Sequence, residues 1–204
     1  MTSDDDVPSP RRRPKGDKRA RTRARIIEVA AQLVEERGFE RTTVQEVARR
    51  AGLSNGAIYG NFKNRDEIFA AIGPTYWPQV KPQFTPGSSF AEKMRAVAEA
   101  TIAILPERSS RGHARLTGLA YVLTNEALRT LVQDRASAFY AGAAEWWRSL
   151  PEDEQPPMPP DILVRLLNVL TEGLTLQWLL TPELVTDEII HAAFAALAGV
   201  RPTL

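Results

Sequence analysis

Residues 38–67, GFERTTVQEVARRAGLSNGAIYGNFKNRDE, carry two short helical patterns separated by a glycine. A Thr ahead of Val44 can cap the first, and Thr43 with Glu46 has the spacing of a capping box. Val44, Val47, Ala48 and Ala51 form its apolar face. Gly52 supplies the permissive backbone that ends this helix, and Ser54 is a good N-cap for a second one over Asn55–Phe62. Two short helices joined by a glycine-bearing turn, with small Ala48 where packing must be close, are the sequence form of a helix-turn-helix. Gly56 and Gly60 weaken the second helix by about 1 kcal/mol each relative to Ala. Packing of Ile58 and Phe62 against neighbouring helices must therefore hold it. Lys63–Glu67 opens a further helix, with Asn64 as cap, Asp66 and Glu67 at the positive end, and Ile68, Phe69 and Ile72 facing inward.

Upstream, a helical pattern starts at Asp17 or Lys18. It carries Ile26, Ile27, Ala30, Leu33 and Val34 on one face and stops at Arg37-Gly38. Ahead of it, residues 1–17 read as a disordered basic arm; Arg11 to Arg25 hold nine basic residues against Asp17 alone. The net charge of +1 hides an asymmetry, since residues 1–65 hold 15 Lys and Arg against 9 Asp and Glu, and the rest holds 11 against 16. A basic segment on an acidic body predicts that one end meets a polyanion.

The composition narrows the function. No cysteine and only His113 and His191 leave no thiolate or histidine-rich metal site. There is no glycine-rich phosphate loop and no nucleophile elbow, so no catalytic residue, cofactor or metal is expected. The acidic, proline-bearing first ten residues lack the apolar centre of a secretory signal, and no later apolar run is expected to span a membrane, so a cytoplasmic protein without membrane contact is predicted.

After Gly73-Pro74 comes a proline-rich stretch to Gly87, read as a loop. Helical patterns follow over about 89–105, 111–123, 125–150, 161–180 and 184–199, with no strand pattern and no internal repeat. The fold class is therefore all-α, with an arm at 1–17, a helix-turn-helix domain at 18–65 and a larger helical domain at 66–204.

Residues 38–67 closely resemble the TetR family signature: a glycine-aromatic opening, Thr-Thr before Val, Val-Ala, Ala-Gly-Leu-Ser, Tyr-x-x-Phe, and a Lys before an acidic helix start. The departure is Gly60-Asn61, where the family usually has bulkier residues. The resemblance implies a three-helix DNA-binding domain whose last helix enters the major groove. Ser54, Asn55, Gly56, Ala57 and Asn61 would lie near base edges. Tyr59 and Lys63, with Thr42 or Thr43, would hold phosphates, and Arg19 and Arg23 of the basic segment would track the backbone or reach into a minor groove.

It further implies a homodimer on a palindromic duplex operator, with half-sites roughly 34–36 Å apart or a multiple of that. The last two helices would pair through Leu163, Leu167, Leu170, Leu174, Ile189, Ile190, Phe194 and Leu197. Trp77, Tyr121, Phe139, Trp146, Asn168 and Glu172 are the candidates for a small apolar or aromatic effector that releases DNA by shifting the dimer's conformational equilibrium. A ligand-responsive repressor is the expected function. An activator of the same fold is the alternative, and a membrane-surface or protein-interaction module is the rival from another class.

Overall fold

The computed structural model describes residues 15–199, with helices α1 (Lys15–Arg37), α2 (Val44–Ala51), α3 (Asn55–Tyr59), α4 (Arg65–Tyr76), α5 (Phe90–Ser110), α6 (Gly112–Thr124), α7 (Glu126–Arg148), α8 (Pro160–Leu180) and α9 (Asp187–Leu197). Single 3₁₀ turns occur at Glu152–Glu154 and Pro182–Leu184, and among the described residues there is no strand. The all-α class holds. The chain divides into two compact units, Met1–Ile68 and Phe69–Leu204. The predicted arm at 1–17 falls mostly outside the described residues; where the description begins, at Lys15, the chain is already helical, which corrects the expected start of α1.

In the first unit, α1 packs on α2 and α2 on α3. Ile26, Val29, Ala30, Leu33, Val47, Ile58, Phe62 and Ile68 are fully buried. Each large apolar side chain so placed contributes about 1.5–3 kcal/mol over leaving it in water. The stop signals work as read: Gly38 and Gly52 sit at φ 83° and 69°, a left-handed region costly to residues with a Cβ. Ser54 Oγ accepts from Ala57 N at 3.2 Å and Thr43 Oγ1 from Glu46 N at 3.2 Å. Asn64 Oδ1 accepts from Glu67 N at 2.9 Å, and Lys63 N donates back to Glu67 Oε2 at 2.8 Å. One reciprocal contact differs from expectation. The Glu46 carboxylate does not return to Thr43 but accepts from Arg37 at 2.7 Å and from Arg49 at 3.3 Å.

In the second unit, α5 packs on α8 and α9, and α7 on α8. Its core joins Phe90, Met94, Val97, Leu105, Trp147, Leu163, Ile190 and Phe194. Two helices outrun their predicted ends. α4 continues through Gly73-Pro74 to Tyr76, and Trp77 N still donates to Gly73 O at 3.0 Å. α5 runs through Pro106 to Ser110. A proline removes one donor and strains one turn, and tertiary bonds beyond each proline, described below, outweigh that loss. The Pro159-Pro160 start of α8 and the Asn125 cap of α7, which accepts from Leu128 N at 2.9 Å, follow the ordinary rules.

By length and composition α8 alone among the described helices is apolar enough to cross a membrane, with 22% of that window buried. Asp161, Arg165 and Glu172 break it into short apolar runs, which is why no long run was legible.

Candidate nucleic-acid interface and a buried arginine cluster

α3 is a five-residue helix whose outer face is open. Ser54, Asn55, Gly56, Tyr59 and Lys63 are exposed and Ala57 is half-buried, while Ile58 is the single residue of α3 sealed inside. Tyr59 is 54% exposed, so its large ring is open to a partner. The helix is shorter than the predicted Asn55–Phe62. Gly60 caps it, and Asn61 N and Phe62 N then both donate to Ile58 O at 2.9 Å in a closing turn.

Several predicted contact residues have other partners. Thr42 is fully buried and its hydroxyl donates to Gly38 O at 2.9 Å, so of the two threonines Thr43 alone faces outward at the start of α2. The Asn61 amide nitrogen donates to Ala57 O at 2.8 Å, folding that side chain onto α3; its Oδ1 is buried without a partner. Arg23 Nη1 donates to Asn61 O at 2.7 Å and its guanidinium lies 4.0 Å from the Phe62 ring centroid; Arg19 Nη2 donates to Gly60 O at 3.2 Å. Neither arginine stands as part of a free arm. Arg11, Arg12 and Arg13 lie outside the described residues.

Around this face, α1 and α2 are tied by ion pairs that sequence reading missed. Arg50 donates both Nη groups to Glu36, and its guanidinium holds the Glu36 carboxyl below the usual carboxylate range. Arg37, with Arg49, does the same for Glu46. The charged pairs Glu36–Arg50 and Arg37–Glu46 are separated by 14 and 9 positions, spacings that no single-helix periodicity relates.

The second unit brings together two of the six effector candidates. Trp77 Nε1 donates to Glu172, 2.7 Å from each carboxylate oxygen. Arg108, 2% exposed, lies 3.2 Å from Glu172 Oε1, and Arg115 donates to Glu172 Oε2 at 3.3 Å. Arg108 also donates to Thr175 Oγ1 at 3.0 Å and, through Nε and Nη2, to Pro78 O at 3.1 and 3.0 Å. Its guanidinium lies 4.5 Å from the Trp77 ring centroid and that of Arg115 5.2 Å. Burial pulls the Arg108 pKa down, against the raising influence of Glu172. These bonds fasten the chain on the far side of Pro74 and Pro106, which accounts for the long α4 and α5. An isolated Glu in an apolar helix signals the need for a cationic partner; which arginine supplies it was not legible.

The other candidates scatter. Tyr121 meets Phe69 edge-on at 5.8 Å, Trp146 stacks on Phe84 at 5.2 Å, and Phe139 is exposed and meets Tyr140. Asn168 is half-buried on α8.

Three residues of the predicted pairing surface need correction. Leu163, Ile190 and Phe194 are fully buried in the chain's own core and have no surface to offer a second copy. Leu167, Leu170, Leu174 and Leu197 are half-buried against that core, and of the eight only Ile189 is exposed. The exposed apolar stripe of α8 is instead Ile162, Leu166, Val169, Leu176 and Leu180. For those three the difference is one of helix face: the apolar cover of α8 is wider than one stripe, so sequence alone could not assign which part of it the chain itself would bury.

Comparison with known proteins agrees with this architecture. Residues 26–72 match the family described as bacterial regulatory proteins, tetR family, and residues 90–202 match the BetI-type transcriptional repressor C-terminal family. The regulator TtgR of Pseudomonas putida is 45% identical over 51 residues, 25% of this chain and 24% of that protein. AcrR of Shigella flexneri is 39% identical over 51 residues, again 25% and 24%. The matched segment thus spans about a quarter of the length of these curated relatives. Among solved structures, GusR of Salmonella enterica superposes with a TM-score of 0.63 at 18% identity, covering 88% of this chain and 95% of that one. NalD of Pseudomonas aeruginosa, a secondary repressor of the MexAB-OprM multidrug efflux pump, does so at 0.51 and 25% identity, over 89% and 95%. With one model matched across the helix-turn-helix and a second across more than half of the chain, the protein belongs to the TetR family of bacterial regulatory proteins.

Proposed function

We propose that this chain is a ligand-responsive transcriptional repressor, acting in the cytoplasm as a homodimer on a palindromic duplex operator. The observation that carries the reading is α3 itself: a Ser54-capped helix in a basic segment, with Asn55, Gly56 and Tyr59 on a face that the rest of its unit leaves uncovered. Gly56 permits close approach to a base edge, and Asn55 carries donor and acceptor together. Tyr59, Lys63 and Thr43 are all exposed, which supports phosphate contacts by the three. Dimerisation gives the exposed stripe of α8, with Ile189 of α9, an apolar partner; Val169, 65% exposed at its middle, is the residue to test. Effector binding in the α-helical second unit would favour a dimer whose two α3 helices no longer match the operator spacing.

The test is selection of duplexes from a random library of about 30 base pairs, long enough for two half-sites, by the purified chain, followed by affinity measurement. A palindromic consensus is expected. Tyr59→Ala and Lys63→Ala should weaken binding to every duplex, with the dimer intact. Lys63→Ala should also lower the salt slope by about 0.9 for each phosphate it no longer neutralises. Val169→Asp should abolish the dimer. No enriched duplex, or a wild-type chain that sediments as a monomer and stays so on DNA, overturns the proposal.

A further inference from the structure

Arg19 and Arg23 lie one turn apart on α1, and both reach the same place, the consecutive carbonyls of Gly60 and Asn61 where α3 ends. The Gly60 carbonyl is among the groups that a helix C-terminus leaves without intrahelical partners, and that of Asn61 lies one residue beyond the cap. The bond from Arg23 is the closer, 2.7 Å, and its guanidinium is also stacked 4.0 Å from the centroid of Phe62, a ring sealed in the core. A planar cation laid on a buried ring and fixed at one edge by a charge-assisted hydrogen bond has one position to occupy.

α3 needs such a fixture. Five residues with glycine second in the helix and glycine again at its C-cap cannot hold a helix by local bonds alone. Ile58 anchors its middle and Ser54 its start; Arg23 closes its end. A Cβ at Gly60 would stand 3.3 Å from Gly56 O, a tight contact that a shift of a few tenths of an ångström relieves. The departure of Gly60-Asn61 from the family pattern thus falls where the two arginines bind.

The geometry points to Arg23, assisted by Arg19, as a positioning residue that sets the angle and register of α3 instead of neutralising a DNA phosphate. This rests on α3 being the DNA-reading helix. The two roles leave different signatures. A phosphate contact contributes to all duplexes alike and to the salt dependence; a positioning residue contributes to the preference for the right duplex and leaves the salt slope unchanged.

The experiment compares wild type, Arg23→Gln and Arg23→Lys as full-length chains. The probes are a duplex selected by the wild type from a random library, and poly(dI·dC), across a salt series. Positioning predicts that both variants lose about tenfold or more in the ratio of selected to nonspecific affinity. It predicts an unchanged salt slope and faster amide hydrogen exchange at Ile58, Gly60, Asn61 and Phe62. Lysine fails to rescue because it keeps the charge and loses the planar fork. The proposal is overturned if Arg23→Gln lowers the slope by about 0.9 per protomer with the ratio intact, or if Arg23→Lys restores wild-type binding. Should the Gln variant melt below the assay temperature, the Lys variant decides between the roles by the ratio alone. A wild-type chain that selects no duplex sinks the DNA-reading assignment itself, a result distinct from variants that bind with the ratio unaltered.

Discussion

The two units of this chain differ in the range of the polar contacts that set their helix ends. In the first, the caps that set the helix ends are local: Thr43 with Glu46, Ser54 with Ala57, Asn64 with Glu67. In the second, the contacts that matter span long stretches of chain. Arg108 meets Glu172, Trp77 meets Glu172 across 95 positions, and Lys93, 1% exposed, donates to Glu154 at 2.7 Å across 61. Local caps make short helices that keep their ends while their outer faces stay free for a partner. Buried ions clamp long helices whose sequence signals, two internal prolines among them, would otherwise end them early.

That contrast can be broken most severely at Glu172. Glu172→Leu strands the buried Arg108 guanidinium without its carboxylate and should cost about 3 kcal/mol, read as a lower denaturant midpoint of the full chain. The double variant with Arg108→Met should recover part of that loss; a single variant as stable as wild type would show that the cluster holds nothing. In the first unit the largest local effect should come from Gly52→Ala. Nothing lies within 4 Å of a Cβ built there, so the expected loss of about 1–2 kcal/mol is purely the strain of its φ of 69°. Ser54→Ala should cost about 1 kcal/mol, while Ser54→Asp should cost little, because a carboxylate oxygen can cap Ala57 N as the hydroxyl does. Thermal melts of the variants check all three.

The smallest effect should come from acid. Glu36 and Glu46 have their folded-state pKa values depressed by Arg50 and Arg37. The stability they contribute is present above the unfolded glutamate value of about 4.3 and disappears as pH falls through the lower folded values. Glu36 is exposed and Glu46 half-buried, so a Glu46→Gln variant should match wild type in melting temperature below that range and fall only slightly short of it at neutral pH. A larger shortfall at neutral pH would mean that the α1–α2 ion pairs carry more of the first unit than their exposure allows.

Legibility followed the same divide. The helix-turn-helix, its glycine stops and its Ser54 cap were readable because each depends on residues within a few positions of one another. The surroundings of α3 were less so: Thr42 and Thr43 are equivalent as a dipeptide, and only the fold buries one and exposes the other. Arg23 looked like part of a basic run until its acceptor, 38 positions away, was in place.

Composition and local pattern were enough for an all-helical chain with a basic reading end, a capped short helix and no long strand-like segment. The face of α8 that meets the chain's own core, the partner of Glu172, and the division of labour among the basic residues required the folded chain. The physical reason is range: caps and turns are governed by bonds between neighbours in sequence, whereas burial and charge pairing depend on which distant surfaces come together, and a helix whose apolar cover exceeds one stripe does not say which part of it will be buried.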